Sequence, residues 1–176
     1  DGTGSVSVTK NAYITVLPSG GRPTPFSEGF ESISSIPDGD WFVTNQDEQS
    51  EWEISTTVGN GSSRSIWVDN STANSGTDDS FISNTINLSL ATSVTLNFDY
   101  AFAKRVSTNS DKLEVWASTN CGESWALRKN ISSATIATAV EHGGSFVPTS
   151  SEWATVSVTN INSTYWNSDF RFKIVY

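Results

Sequence analysis

The pattern of hydrophobic and polar positions along this chain is that of short strands joined by turns. Apolar and polar side chains alternate strictly over residues 94–102, and residues 169–176 alternate in the same way. Such alternation predicts strands with one buried face. Weaker patterns of the same kind predict further strands at residues 52–55, 65–68, 81–90, 113–117, 124–129 and 153–158.

These elements predict an all-β fold. Many short strands with regular turn signals are typical of a jelly-roll β-sandwich of two antiparallel sheets. No amphipathic helix of useful length is predicted, and the Ala-rich residues 132–140 are expected to hold at most one helical turn. The length of 176 residues suits one ordinary domain, and we expect its main unit at residues 26–176.

A segment rich in proline and glycine divides the chain near its start. Residues 17–25 contain three prolines and two glycines, a composition that cannot continue a strand ladder. Residues 18–25 are therefore predicted to be a semi-rigid linker. The alternating residues 1–17 are predicted to be the C-terminal strand or strands of a preceding domain.

The most informative stretch, residues 111–125, predicts a strand that runs into a tight turn. Leu113, Val115 and Ala117 share one face of this strand, and Trp116 lies on the other face. An Asn-Cys-Gly turn follows, and Trp125 lies at the start of the next predicted strand. An acidic residue at the start of such a strand suggests a sandwich rim where carboxylates can meet a hard cation.

Composition narrows the choice of partners. The chain has 10 Lys and Arg against 19 Asp and Glu, a formal net charge of −9. This balance argues against nucleic acid and anionic membranes, because both bind clustered cations. It is compatible with bound Ca²⁺, although an acidic surface that keeps a secreted protein in solution is the simpler interpretation. No apolar run is long enough for membrane insertion.

The chain has one cysteine and one histidine, so few of the known catalytic arrangements can be formed from its residues. Cys121 has no partner for an internal disulfide, and we expect it to pack as a small apolar group. His142 belongs to no zinc-binding cluster and to no recognisable catalytic triad. The sequence therefore predicts a protein without enzymatic activity.

A series of motifs runs through the chain: Glu28-Gly-Phe-Glu-Ser32, Ile36-Pro37, Trp41, Asp47, Trp52, Asn84-Thr-Ile-Asn-Leu-Ser89, Asp111-Lys-Leu-Glu-Val115, Ser118-Thr-Asn-Cys-Gly122, Trp125, Phe146-Val-Pro148 and Glu152-Trp153. Together they resemble the MAM-like jelly-roll modules at the C-terminal side of secreted bacterial metallopeptidases of the cytophagalysin type. They are more distantly similar to the cleaved-adhesin domains of gingipains. In those peptidases the module commonly follows a polycystic-kidney-disease (PKD) domain, whose last strands residues 4–16 resemble.

The resemblance implies a non-catalytic accessory module of a secreted or cell-surface bacterial protein, exported by the type IX route. Its partners would be the catalytic domain of the parent chain and a protein or glycan substrate at the cell surface. The His-Glu-x-x-His helix of the peptidase is absent, so peptidase activity does not transfer. Modules of this family also continue into one more strand, so residues 26–176 either lack that strand or receive it from elsewhere.

The resemblance further implies a structural Ca²⁺. Ca²⁺ takes six to eight oxygen ligands, and the candidate ligands are Glu31, Asp47, Asp79 or its neighbour Asp78, and Asp111. For any one of these residues, an exposed carboxylate at the rim of the sandwich is the simpler interpretation.

The seven tryptophans offer stacking surfaces for sugars, although Trp more often packs inside a sandwich. Trp166, in the polar run 160–167, is the best candidate for an exposed platform. Two functions are thus predicted. The first is adhesion or substrate docking for a secreted metallopeptidase, and the alternative is a carbohydrate-binding module of a secreted polysaccharide-degrading enzyme.

Overall fold

The structure, a computed structural model, describes residues 21–45, 50–71 and 78–176. These ranges contain nine strands, two single-turn 3₁₀ helices and no α-helix. No helix within them is long and apolar enough to cross a membrane. The predicted all-β character is confirmed. The strands are β1 (Trp41–Thr44), β2 (Glu53–Ser55), β3 (Ser65–Trp67), β4 (Ser80–Ser83), β5 (Leu96–Tyr100), β6 (Leu113–Ser118), β7 (Ala126–Ile131), β8 (Ala154–Val158) and β9 (Arg171–Val175), and the 3₁₀ helices are Ser150–Glu152 and Ser163–Tyr165.

The strands form one sheet of five and two of two, and every strand pair is antiparallel. The large sheet has the order β1-β4-β9-β6-β7, whereas β2 pairs with β3 and β5 with β8. Strand β9 lies in the middle of the large sheet, since Ile174 pairs with Phe81 on one side and with Val115 on the other. All three side chains are buried, which fixes the inner face of this sheet.

One hydrophobic core joins the three sheets. The inner face of the large sheet contributes Trp41 and Phe81, whose rings stack with centroids 4.7 Å apart. Strand β8 contributes Val156 and Val158, and apolar residues of β2, β3 and β5 pack against the same core. A fully buried side chain of this size stabilises the fold by about 1.5–3 kcal/mol. The arrangement is consistent with a β-sandwich.

Both alternating segments fold as predicted. The apolar residues of 94–102 pack against the core, and the intervening Asn97 and Asp99 are exposed. At the end of the chain Phe172 and Ile174 are buried on the inner face of the large sheet. Alternation identifies these strands because each has one face on the core and one facing away from it.

Other elements differ from the prediction. The four-residue β1 is too short for its alternation to be recognised in the sequence. Strand β4 ends at Ser83, well before the predicted end of 81–90, because the side-chain oxygen of Asn84 accepts the backbone N–H of Thr85 at 2.7 Å and competes with the ladder. Residues 132–140 form turns and no helix.

The segment predicted to be a linker is described from Gly21 onwards, and it lies against the large sheet. The Arg22 N–H donates to the Thr85 carbonyl at 2.8 Å, and the Asn87 N–H donates to the Arg22 carbonyl at 3.0 Å. The predicted strand at 1–17 lies outside the described residues, so the domain boundaries remain a prediction.

Candidate functional site

The outer face of the large sheet carries a row of side chains in direct register, one from each strand. Strand pairing aligns Phe42 with Ile82, Ile82 with Lys173, Lys173 with Trp116 and Trp116 with Leu127. We call these five residues the outer row. All five are half-buried or exposed, and none of them is among the described residues that form the core or pack against it.

Tryptophan rings flank the cation of the outer row. The Lys173 ammonium lies 5.0 Å from the ring centre of Trp125 and 6.0 Å from that of Trp116. Partial burial lowers the pKa of Lys173, while the charges of Asp78 and Glu114 act in the opposite direction. The sheet therefore presents a cation close to two aromatic rings. Such an arrangement suits a ligand with ring faces and polar groups.

A buried carboxylate supports this arrangement from within the sheet. Glu114 is only 7% exposed. Its Oε1 lies 2.9 Å from the Lys112 ammonium, and its Oε2 accepts the Trp116 indole N–H at 3.0 Å. The second bond holds the Trp116 ring in a fixed orientation. The contact with Glu114 also raises the pKa of Lys112.

The turn between β6 and β7 positions Trp125 against the sheet. The Ser118 hydroxyl accepts the backbone N–H of Gly122 at 2.9 Å and closes the turn. Gly122 has φ of +93°, and a methyl group at its Cα would lie 3.1 Å from the Trp125 ring. The strand-turn-strand prediction for this stretch is confirmed by β6 and β7. The close approach of the Trp125 ring depends on the absence of a side chain at Gly122.

The same turn corrects one expectation. The prediction that Cys121 packs as a small apolar group is wrong, because the residue is exposed. The residue adopts φ of +56°, and its backbone N–H donates to the Asp169 carbonyl at 3.0 Å. Turn geometry, and not packing, governs this position.

The predicted calcium ligands are only partly described. Asp47 lies outside the described residues. Asp79 and Asp111 both act on Tyr176. The Asp79 backbone exchanges two hydrogen bonds with it, and burial together with the charge of Asp111 raises the pKa of its phenol. Glu31 is exposed in a turn. No group of three or more His, Cys, Asp or Glu within the described ranges could hold a metal ion, so calcium binding stays a prediction of the resemblance.

Trp166, the predicted sugar platform, is half-buried and packs against the core. Its indole N–H donates to the Ile161 carbonyl at 2.9 Å, which anchors the ring within its own loop. By contrast Trp116 points to the outer face, as the alternation of β6 predicts. The structure therefore places Trp116 and Trp125 beside a charged group and outside the core, whereas Trp166 packs against the core. A sugar-binding role for Trp166 remains a prediction.

The histidine and the cysteine make separate contacts. The His142 ring lies 5.9 Å from that of Phe146. Hydrogen bonds with Thr149 lower the pKa of the nearby Glu152, and His142 makes a smaller contribution in the same direction. Cys121 lies in the β6–β7 turn, bonded to Asp169.

A separate concavity lies beyond the C-terminal end of β5. This shallow cleft of about 630 Å³ is lined mainly by serine and alanine, together with Lys104, Val140 and Glu141. The Lys104 ammonium donates to the Asn109 carbonyl at 3.0 Å, within the loop itself. With no aromatic ring in its lining, the cleft offers a ligand less than the outer row does.

Sequence comparisons assign no relative to the chain. No protein-family model matches it, and no curated protein is significantly similar to it in sequence. The outer row thus rests on geometry alone. The alternation in the sequence predicts which face of its strand each of Trp116 and Lys173 occupies. It does not indicate that Phe42, Ile82 and Leu127 align with them.

Proposed function

We propose that this chain is a non-catalytic binding module that holds a glycan or protein substrate on the outer row. The observation that carries the proposal is the register of five half-buried or exposed side chains across all five strands. None of the five is among the described residues that form the hydrophobic core or pack against it. Surface patches of this kind mark binding sites.

The shape of the site favours binding over chemistry. The outer row lies on a sheet face and not in a cleft that could exclude water from a reacting bond. Its titratable groups are Lys173 and the neighbouring Glu114, whose two oxygens are both engaged. Ring faces flanked by a polar group are what stacking recognition uses.

The finer fold and the parent protein are part of the same proposal. We infer that the three sheets close into a jelly-roll sandwich, because residues of β2, β3, β5 and β8 share one core with the inner face of the large sheet. The motifs that resemble MAM-like modules favour a secreted metallopeptidase as the parent, with the module docking its substrate. The outer row itself favours the alternative parent, a secreted polysaccharide-degrading enzyme.

The proposal is tested by binding of the full chain to arrays of glycans and extracellular proteins. Trp116→Ala should weaken any binding at least about tenfold, the size expected for loss of an aromatic anchor. Leu127→Asn, which removes an exposed apolar side chain from the same row, should also weaken binding. Trp67→Ala removes a half-buried tryptophan from β3 and is the matched control. Equal losses in Trp116→Ala and Trp67→Ala would contradict a site on the outer row.

A further inference from the structure

The outer face of the large sheet is positively charged in a protein that is otherwise acidic. The chain has a formal net charge of −9. The strands of the large sheet nevertheless place two cations on their outer face, Arg171 and Lys173, and one carboxylate, Glu114. Two carboxylates act on these cations: Glu114, which is buried and bonded to Lys112 and Trp116, and the exposed Asp78, whose charge also acts on Lys112 and Lys173. Because Lys112, Arg171 and Lys173 outnumber these two carboxylates, the net charge at this face is positive.

The two cations lie beside the two tryptophans of the site. Lys173 is next to both rings. The Arg171 side chain and the Trp125 ring both pack over Gly122, with Arg171 Cδ at 3.9 Å from the position of a methyl group there. The Arg171 guanidinium is held in place by Thr85, whose hydroxyl accepts from Nε at 3.1 Å and from Nη2 at 3.0 Å. The cations are thus fixed where they can reach a ligand stacked on the rings.

We propose that the ligand of the outer row is a polysaccharide that carries carboxylate groups, a chain of uronic acid units. This inference rests on the proposed binding function. The ring faces of Trp116 and Trp125 would stack on the sugar rings, and Lys173 and Arg171 would pair with the carboxylates. An ion pair in a partly desolvated site is stronger than one in open water.

An acidic peptide is the less favoured ligand. Peptides bind sheets mainly by adding a strand at an exposed edge. The outer row instead crosses the strands, and its centre lies on β9, whose backbone is paired with β4 and β6 on both sides. A neutral glycan would stack on the rings but would leave the positive charge of Lys173 without an opposite charge in the ligand.

Isothermal titration of the full chain with two uronans, polygalacturonate and alginate, tests the proposal. The buffer contains a chelator so that divalent cations cannot bridge the polymer to the acidic protein. Fully methyl-esterified polygalacturonate is the matched ligand control, since it has the same backbone without the charge. We expect binding to at least one uronan, affinity for the ester about ten- to hundredfold weaker than for polygalacturonate where the latter binds, and weaker uronan binding as salt is raised.

Substitutions assign the effect to the outer face. Lys173→Met should weaken uronan binding about ten- to hundredfold, and Lys173→Arg, which keeps the charge, should retain most of it. Lys129→Met is the matched control, because Lys129 is an exposed cation of the same sheet that pairs with Val115, an inner-face residue. If Lys173→Met does not fold, Lys173→Arg and the ester still decide the question.

The outcomes separate the inference from the proposed function. Equal affinity for polygalacturonate and its ester, with both lost in Trp116→Ala, would overturn the carboxylate inference and leave the binding module intact. Binding to polyglutamate and to neither uronan would overturn it in favour of an acidic peptide. Binding to none of these polymers would also overturn it. Uronan binding that Trp116→Ala does not change would contradict the outer row itself.

Discussion

At the scale of single residues, Tyr176 shows how burial near a carboxylate changes a titration. Burial raises the pKa of Tyr176 to about 12, and the negative charge of Asp111 acts in the same direction, while a hydrogen bond with Asn70 opposes them. The folded protein therefore keeps this phenol neutral over a range in which the unfolded chain ionises it.

This shift predicts a loss of stability at alkaline pH. The unfolded tyrosine loses its proton near pH 10 and the folded one near pH 12, so the contribution of Tyr176 is complete below pH 10 and disappears as the pH rises to 12. Two pKa units correspond to about 2–3 kcal/mol of unfolding free energy. Urea unfolding between pH 9 and 12 should show this fall, and Tyr176→Phe should make it shallower.

Two other tyrosines set the controls for that experiment. Burial also raises the pKa of Tyr100, so the curve of Tyr176→Phe should flatten without becoming level. Tyr165→Phe removes a phenol whose ring contacts Phe170 edge-on and should keep the steep fall of the parent protein. Parallel curves for Tyr176→Phe and the parent protein would show that Tyr176 does not carry the effect.

At the scale of elements, the β6–β7 connection links sequence, turn geometry and the outer face. Ser118 and Asn120 bond to the backbone of the turn, and Gly122 supplies a positive φ. These are small polar residues and a glycine of the kind that a tight turn requires. The Trp125 ring that closes over Gly122 then lies beside Lys173, so the turn sequence also shapes the face that we propose for binding.

Gly122→Ala should destabilise the protein by about 1–3 kcal/mol, because the alanine would be strained at φ of +93° and its methyl group would press on the Trp125 ring at 3.1 Å. Chemical denaturation followed by tryptophan fluorescence measures the change. Gly143→Ala is the matched control, since a methyl group there meets nothing within 4 Å, and it should alter stability by less than about 0.5 kcal/mol. Equal stability of the two variants would mean that the turn tolerates a side chain.

The sequence predicts those features of the structure that depend on residues close together in the chain. The strands β5 and β9 and the turn after β6 are predictable, since alternation and turn residues are properties of neighbouring positions. The outer row is not, because its members are spread from Phe42 to Lys173 and align only through the register of five strands. Register is set by tertiary packing of the opposite, inner face.

At the scale of the whole molecule, the two faces of the large sheet differ in packing and in residue type. The inner face contributes Trp41, Phe81 and Phe172 to one aromatic cluster within the core. The outer face carries Trp116 and Lys173 beside the buried Val175 and Glu114, so only part of this face is accessible to solvent. The acidic remainder of the chain then makes the positive outer row distinct in charge from its surroundings.

The attachment of the segment before residue 26 is a further property of the whole molecule. Arg22 forms two backbone hydrogen bonds with the chain after β4, and its guanidinium lies 3.3 Å from Asp40 and 4.2 Å from the centre of the Phe26 ring. Backbone hydrogen bonds contribute about 0.5–1.5 kcal/mol each, whereas partly exposed ion pairs contribute little. The Pro/Gly-rich composition that predicts a linker therefore does not prevent this segment from docking.

Two truncations test this attachment. Removal of residues 1–20 should leave the unfolding free energy nearly unchanged, as the predicted linker implies. Removal of residues 1–25 should cost about 1–3 kcal/mol more, because the two backbone bonds of Arg22 are lost with it. Thermal and urea unfolding of both chains measure the difference. If the two truncations are equally stable, the docked segment contributes nothing to the fold, and if the shorter truncation already causes the loss, residues 1–20 contribute to the stability of the module.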